Sequence, residues 1–143
     1  MSTVSELHNT AMDLAEQAEI ARVHGDELQA RELFIRAYQM EREAAELFAN
    51  QSGIEPSRSV LFRSAASLAL DCDEKREAER LISIALAGNP PDDVAEELRD
   101  LLEQVHFRRH LELRGVALVP GEFQMSLAGQ GVGFGIAPTD VVI

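Results

Sequence analysis

His106 and His110 stand four residues apart, a spacing that places both imidazoles on one face of a helix, where they could converge on a metal ion. They lie in the segment HFRRH, so two arginines separate them, and the close carboxylates are Glu103 and Glu112. Positive charge is favourable in the last turn of a helix. We therefore interpret both histidines as surface residues at a helix C-terminus and predict no metal site.

The single cysteine, Cys72, is a candidate nucleophile, but its neighbours argue against that role. It lies between Asp71 and Asp73, and negative charge beside a thiol raises its pKa and lowers its reactivity. A single cysteine also excludes an internal disulfide. The two remaining histidines, His8 and His24, are isolated in the sequence. We predict no catalytic residue and expect that the chain is not an enzyme.

Glycines at alternate positions from Gly129 to Gly135 suggest a test for a phosphate-binding loop. The G-x-G-x-x-G pattern would need a glycine at position 134, which is Phe134, and no lysine follows it. The last basic residue of the chain is Arg114. We therefore predict no nucleotide site and no other cofactor site.

The net charge restricts the choice of partner. The chain has 143 residues and a formal net charge of −12 at pH 7, whereas proteins bind nucleic acids and anionic lipids through Lys and Arg side chains that neutralise phosphates. We expect no nucleic-acid partner and no membrane partner, and we expect a protein or peptide with basic character to be attracted. Solubility alone also accounts for such a charge. No long apolar run or secretory signal is visible, which predicts a cytoplasmic protein.

Start and stop signals divide residues 1–114 into about five predicted helices. Thr3 and Glu6 have the spacing of a capping box, and Asp26 follows Gly25, which ends the first helix. Later breaks are Pro56, which suits the first turn of a helix, the segment DCD at 71–73, Gly88 and the pair Pro90–Pro91. The fifth helix has apolar residues at helical spacing, namely Val94, Leu98, Leu101, Leu102 and Val105.

A repeat with a period of 48 residues relates the first two helices to the next two. Small and large apolar residues recur in the same order in both pairs, which lets antiparallel helices pack closely. The first set is Ala18, Ala21, Ala30, Phe34 and Ala37, and the second is Ala66, Ala69, Ala78, Ile82 and Ala85. We predict that these residues are mostly buried.

The repeat resembles the tetratricopeptide repeat (TPR) of bacterial helical proteins, in two degenerate copies. The segment GDELQARELFIRA, residues 25–37, matches the turn glycine and the A-x-x-x-F-x-x-A pattern of the second TPR helix. The segment REAERLISIALAGNP, residues 76–90, matches that pattern and the closing proline. The period departs from the usual value of about 34 residues, and Leu14 and Phe62 occupy the family's Trp position. An unrelated five-helix bundle is the alternative fold.

The TPR resemblance implies a non-catalytic adaptor that binds a protein or peptide on a surface lined by the first helix of each pair. The residues that it places there are Met12, Ala15, Glu19, Arg22, Arg63, Ser67 and Leu70. The alternative is a small helical-bundle enzyme or toxin–antitoxin component similar to HEPN nucleases. Those proteins need an Arg and a His a few residues apart in a positive cleft, whereas Arg109 and His110 are adjacent here and the chain is acidic.

Residues 115–143 are predicted to form a separate Gly-rich, apolar β-type tail. Their alternating pattern is typical of short strands over 115–136, with a glycine face that permits close approach of another backbone. A sheet this small is marginal by itself, so we expect it to dock on its own helices or to pair with a second copy in a homodimer. The predicted apolar contacts come from Val116, Leu118, Phe123, Met125, Leu127, Phe134 and Ile136.

Overall fold

The computed structural model describes residues 3–51 and 53–115, and this part of the chain is mainly helical. Its helices are α1 (Val4–Val23), α2 (Glu27–Leu47), α3 (Ser57–Asp71), α4 (Lys75–Ala87) and α5 (Asp92–Leu113). The described residues contain no strand. The predicted β segments lie outside the described residues except for Gly115, which belongs to the turn after α5, so the β-type tail and its role in dimerisation stay predictions.

The caps predicted for the first two helices are present. The Thr3 hydroxyl accepts a hydrogen bond from the Glu6 backbone N–H at 3.1 Å, and the Glu6 carboxylate accepts one from the Thr3 N–H at 3.0 Å, which completes a capping box. Asp26 caps α2 by accepting from the Gln29 N–H at 3.2 Å. Pro56 differs from the prediction, because it lies just before α3 and not in its first turn.

A Schellman motif ends α1 and reverses the chain into α2. The Gly25 N–H donates to the Arg22 carbonyl at 3.0 Å, and the Asp26 N–H donates to the Ala21 carbonyl at 2.9 Å. Gly25 takes a left-handed backbone conformation, with φ of 83°, which a residue without a Cβ adopts at no steric cost. The short turn makes α1 and α2 antiparallel neighbours.

The same motif, 48 residues later, ends α3 and reverses the chain into α4. The Asp73 N–H donates to the Leu70 carbonyl at 3.0 Å, and the Glu74 N–H donates to the Ala69 carbonyl at 2.8 Å. Asp73 occupies the left-handed position with φ of 60°, where a side chain costs about 1 kcal/mol. The two helix pairs are therefore joined by the same turn, which the sequence repeat predicts only in part because it has no glycine at position 73.

The core of the helical region is rich in alanine, as the repeat predicts. All ten repeat residues except Ala21 are buried, and Ala21 is partly buried against the core. Phe62, Leu81 and Ile82 fill the space between the small side chains and are fully inaccessible to solvent. Alanine on facing helices allows the backbones to approach closely, so the core depends on helix-to-helix contact as much as on large side chains.

Polar contacts between helices show which helices are neighbours. Arg22 of α1 lies 3.8 Å from Asp71 of α3, and Arg63 of α3 pairs with Glu97 of α5. These contacts make α3 a neighbour of α1 and of the part of α5 before position 107. All of them lie in the compact unit Met1–His106.

The second helices of the two pairs are also neighbours. The Tyr38 hydroxyl of α2 donates to the Glu77 carboxylate of α4 at 3.1 Å, and Arg80 of α4 pairs with Glu46 of α2 at 3.0 Å. Burial, together with the negative charge of Glu77, raises the pKa of Tyr38 to about 12. Tyr38 is therefore neutral and acts as the donor in this contact, which fixes α4 against α2.

A polar cluster ties the loop after α2 to the ends of α3 and α4. The Arg58 guanidinium donates to the Ala49 carbonyl at 3.0 Å and to the Ile84 carbonyl at 3.3 Å. The Glu55 carboxylate lies 3.8 Å from Arg58 and accepts from the Asn89 N–H at 3.3 Å. The Arg58 and Glu55 side chains thus pair with backbone groups in the last turn of α4 and in the loops that follow α2 and α4.

Candidate functional site

An open groove of about 240 Å³ lies between α3 and α5. Its lining comes from two stripes at helical spacing, Arg63 and Ser67 on α3, and Glu97, Asp100, Leu101 and Gln104 on α5. The Arg63 guanidinium reaches from α3 to the Glu97 carboxylate on α5. The groove therefore combines charged and polar groups with one apolar side chain. Its volume is below the range of about 300–1,000 Å³ typical of small-molecule sites.

The predicted surface residues of α1 are held by contacts within the protein. Met12 and Ala15 are partly buried against the core. Glu19 is exposed and pairs with Arg22 at 2.7 Å. The Arg22 guanidinium also lies over the Phe34 ring, 4.6 Å from its centroid. These residues fix the end of α1 on its neighbours, and Glu19 is the one that presents most of its side chain to solvent.

The predicted surface residues of α3 divide between the groove and the core. Arg63 and Ser67 line the groove, and Ser67 is exposed. Leu70 is only 2% exposed and belongs to the core. Residues three apart lie on the same side of a helix, so the spacing from Ser67 does not by itself bury Leu70. Its burial comes from the packing of α3 against the rest of the core. The structure thus brings Arg63 and Ser67 together with residues of α5 that the sequence analysis did not assign to a binding surface.

A buried carboxylate lies behind the groove. Glu41 on α2 is fully inaccessible to solvent, and both of its oxygens lie within hydrogen-bond distance of His8 Nδ1 on α1, at 3.0 and 2.8 Å. Burial raises the pKa of Glu41, while His8, the Ser64 hydroxyl and the charge of Arg63 each favour its ionised form. An ionised carboxylate can only accept, so His8 Nδ1 carries the proton in that state.

Sequence reasoning missed this pair because His8 and Glu41 are 33 residues apart. One local signal was available. Glu41 continues the stripe formed by Ala37, Tyr38, Ala44 and Ala45, all of which are buried. A charged residue in the buried stripe of an amphipathic helix needs a partner, and the opposite helix supplies His8.

Cys72, His106 and His110 each have surroundings that explain them without a catalytic role. Burial raises the pKa of the Cys72 thiol to about 12, with smaller contributions from Asp71 and Glu74. His106 Nε2 lies 3.9 Å from the Glu79 carboxylate. His110 Nε2 accepts a hydrogen bond from Arg114 at 2.9 Å. In residues 3–51 and 53–115, no three His, Cys, Asp or Glu side chains are grouped as metal ligands.

No family model matches the sequence, and no curated protein or solved structure is significantly similar to it. Among the helices described above, none is long and apolar enough to cross a bilayer. The groove between α3 and α5 and the buried pair behind it are therefore interpreted from their own residues.

Proposed function

We propose that this chain is a non-catalytic adaptor that binds a protein or peptide of basic character on the α1–α3–α5 side of a TPR-like helical domain. The observation that carries this proposal is the open groove between α3 and α5, which contains Arg63 and Ser67 from the predicted binding surface. The identical turns after α1 and α3 support the comparison with a helical repeat. Repeats of this kind present the first helix of each pair to a partner.

The groove lining does not favour the enzyme alternative. The described residues that line it include no histidine or cysteine. Cys72 is buried, and its thiol is protonated at neutral pH because burial raises its pKa to about 12. A nucleophile must be exposed and activated by a neighbouring base or charge. A groove of this size also suits side chains of a partner better than a whole substrate.

The test is to fill the groove without disturbing the fold. Ser67→Trp adds a large side chain at an exposed position in the groove, and Ser83→Trp makes the same change at an exposed position on α4. Proteins captured from the native host by the wild-type chain are identified by mass spectrometry and then purified. Their binding to each variant is measured by calorimetry.

The proposal predicts that a purified partner binds the wild-type chain and Ser83→Trp equally and that it loses affinity for Ser67→Trp. Circular dichroism and urea midpoints show whether both variants are folded. Equal affinity for all three proteins would place the binding surface elsewhere and would contradict the proposal.

A further inference from the structure

The charge of the groove is negative although an arginine lines it. Arg63 is the one cation among the described residues that line the groove, and it pairs directly with Glu97. Its charge also acts on the buried carboxylate of Glu41, where it favours the ionised form. Arg63 therefore has a carboxylate partner in the groove, Glu97, and a second carboxylate, Glu41, within range of its charge. Both reduce its attraction for an anionic ligand.

Asp100 is the groove residue whose charge is not balanced. It is exposed, lies one helical turn from Glu97 on α5, and has no hydrogen bond or ion pair with any residue in the described ranges. Leu101, next to it, is partly buried and contributes an apolar wall. A carboxylate pair beside an apolar side chain complements a side chain with a long aliphatic stem and a cationic end.

The charges along α5 extend this preference beyond the groove. Between positions 92 and 106 the helix carries six carboxylates, namely Asp92, Asp93, Glu96, Glu97, Asp100 and Glu103. Arg99 is the only Lys or Arg in that stretch, and it pairs with Glu96 at 3.4 Å. A segment that approaches the groove along α5 therefore meets negative potential throughout, which attracts a basic segment and repels an acidic one.

From this complementarity we propose that the groove receives a Lys or Arg side chain from a basic segment of a partner protein. The cationic end binds between the carboxylates of Asp100 and Glu97, and the aliphatic stem packs on Leu101. Ser67 and Gln104 offer hydrogen bonds to polar groups of the partner segment beside that side chain. This inference rests on the proposed adaptor function, because it names the partner's chemistry at the same groove.

The probe is a fluorescent amphipathic peptide of leucine and lysine, with two matched peptides in which Gln or Glu replaces every Lys. Binding is measured by fluorescence anisotropy, and the contact surface is mapped by backbone amide NMR shifts. The two protein variants are Asp100→Asn and Glu103→Gln. Both remove one negative charge from an exposed position on α5, but Glu103 does not line the groove.

We expect the Lys peptide to bind and to shift the amides of α3 and α5. Asp100→Asn should weaken binding about three- to tenfold, which corresponds to the loss of one solvent-exposed hydrogen bond. Glu103→Gln should leave binding nearly unchanged. The Gln and Glu peptides should bind more weakly than the Lys peptide.

Four results would overturn the inference. Equal weakening by both variants would mean that the attraction is a general effect of net charge. No binding of the Lys peptide, or amide shifts confined to other helices, would exclude the groove as a cation site. Tighter binding of the Gln or Glu peptide at the groove would reject the basic partner while leaving the adaptor function standing, since that function is tested separately by Ser67→Trp.

Discussion

Replacement of His8 by alanine should destabilise the protein by leaving Glu41 without its principal partner. The Glu41 carboxylate is fully buried, and when ionised it accepts a hydrogen bond from His8 Nδ1 at 2.8 Å. Leaving a buried polar group unsatisfied costs about 1–3 kcal/mol, and more when the group is charged. The His8 side chain is 34% exposed, so water can enter part of the space that it leaves. We therefore expect a loss of about 1–3 kcal/mol at neutral pH, not the larger cost of a dry unpaired charge.

The cost should depend on pH in a defined direction. Burial raises the folded-state pKa of Glu41 above its ordinary value of 4.5, because it makes the ionised carboxylate less favourable in the folded protein than in the unfolded chain. For a group with a raised pKa, the favourable contribution is complete below the unfolded pKa and is lost as pH rises through the folded pKa. His8 favours the ionised form of Glu41, so its removal raises the pKa of Glu41 further. The loss of stability caused by His8→Ala should therefore be greatest at neutral pH and should shrink as pH falls towards 4.5 and below.

Urea unfolding followed by circular dichroism measures this effect. The free energy of unfolding of the variant is subtracted from that of the wild type at each pH, so that the contributions of carboxylates far from His8 cancel. His8→Asn is the matched control, because its amide places a donor close to the position of Nδ1. The double variant His8→Ala with Glu41→Met removes the charge as well as its partner and should recover most of the stability, since apolar residues often replace buried ion pairs without loss.

An equal loss of stability in His8→Ala at every pH would show that the loss comes from packing and not from the charge of Glu41. A double variant no more stable than His8→Ala would likewise contradict the expected role of that charge.

Three further predictions concern the turn, the core and the cysteine. Asp73→Gly should raise the free energy of unfolding by up to about 1 kcal/mol in urea titrations, since it relieves the left-handed backbone conformation, and Asp73→Asn should gain less. The Asp73 carboxylate also pairs with Lys75 Nζ at 2.9 Å, so a loss of stability in Asp73→Gly would show that this ion pair outweighs the strain. Ala18→Leu should lower the free energy of unfolding by about 1–3 kcal/mol, because it overpacks a fully buried site. Ala21→Leu should lower it less, because Ala21 is only partly buried. Equal urea midpoints for the two variants would contradict this prediction. Cys72, whose thiol pKa burial raises to about 12, should react with a disulfide reagent far more slowly at neutral pH than it does in urea, and equal rates would mean that the site opens freely.

Much of the helical architecture could be predicted because its signals are local. The capping box at Thr3 and the cap at Asp26 each involve residues three positions apart. The alanines of the repeat are buried because their helical spacing puts them on one face. Local hydrogen bonding and periodicity act within one or two helical turns, so the sequence displays them directly.

The groove could be predicted only in part because its contacts are long-range. Arg63 and Ser67 were expected at the surface, but the opposite wall comes from residues of α5 that are about 34 positions away, as in the Arg63–Glu97 pair. The inward direction of Leu70 depends on how α3 is rotated against its neighbours. The pair of His8 with Glu41 likewise depends on the register of α1 against α2, which no local signal fixes.

The hydrogen bonds donated by Arg58 affect how cooperatively the helices unfold. Each helix pair is closed by its own turn, so neither pair needs the other to complete the hydrogen bonds of that turn. The first pair is coupled to the second through the packing of α2 on α3 and through links such as that from Arg58 to the Ala49 carbonyl. In chains built of stacked units, nearest-neighbour coupling decides whether the units melt together or in succession. Arg58 thus strengthens the coupling between the two helical hairpins, which favours their unfolding together over their unfolding in succession.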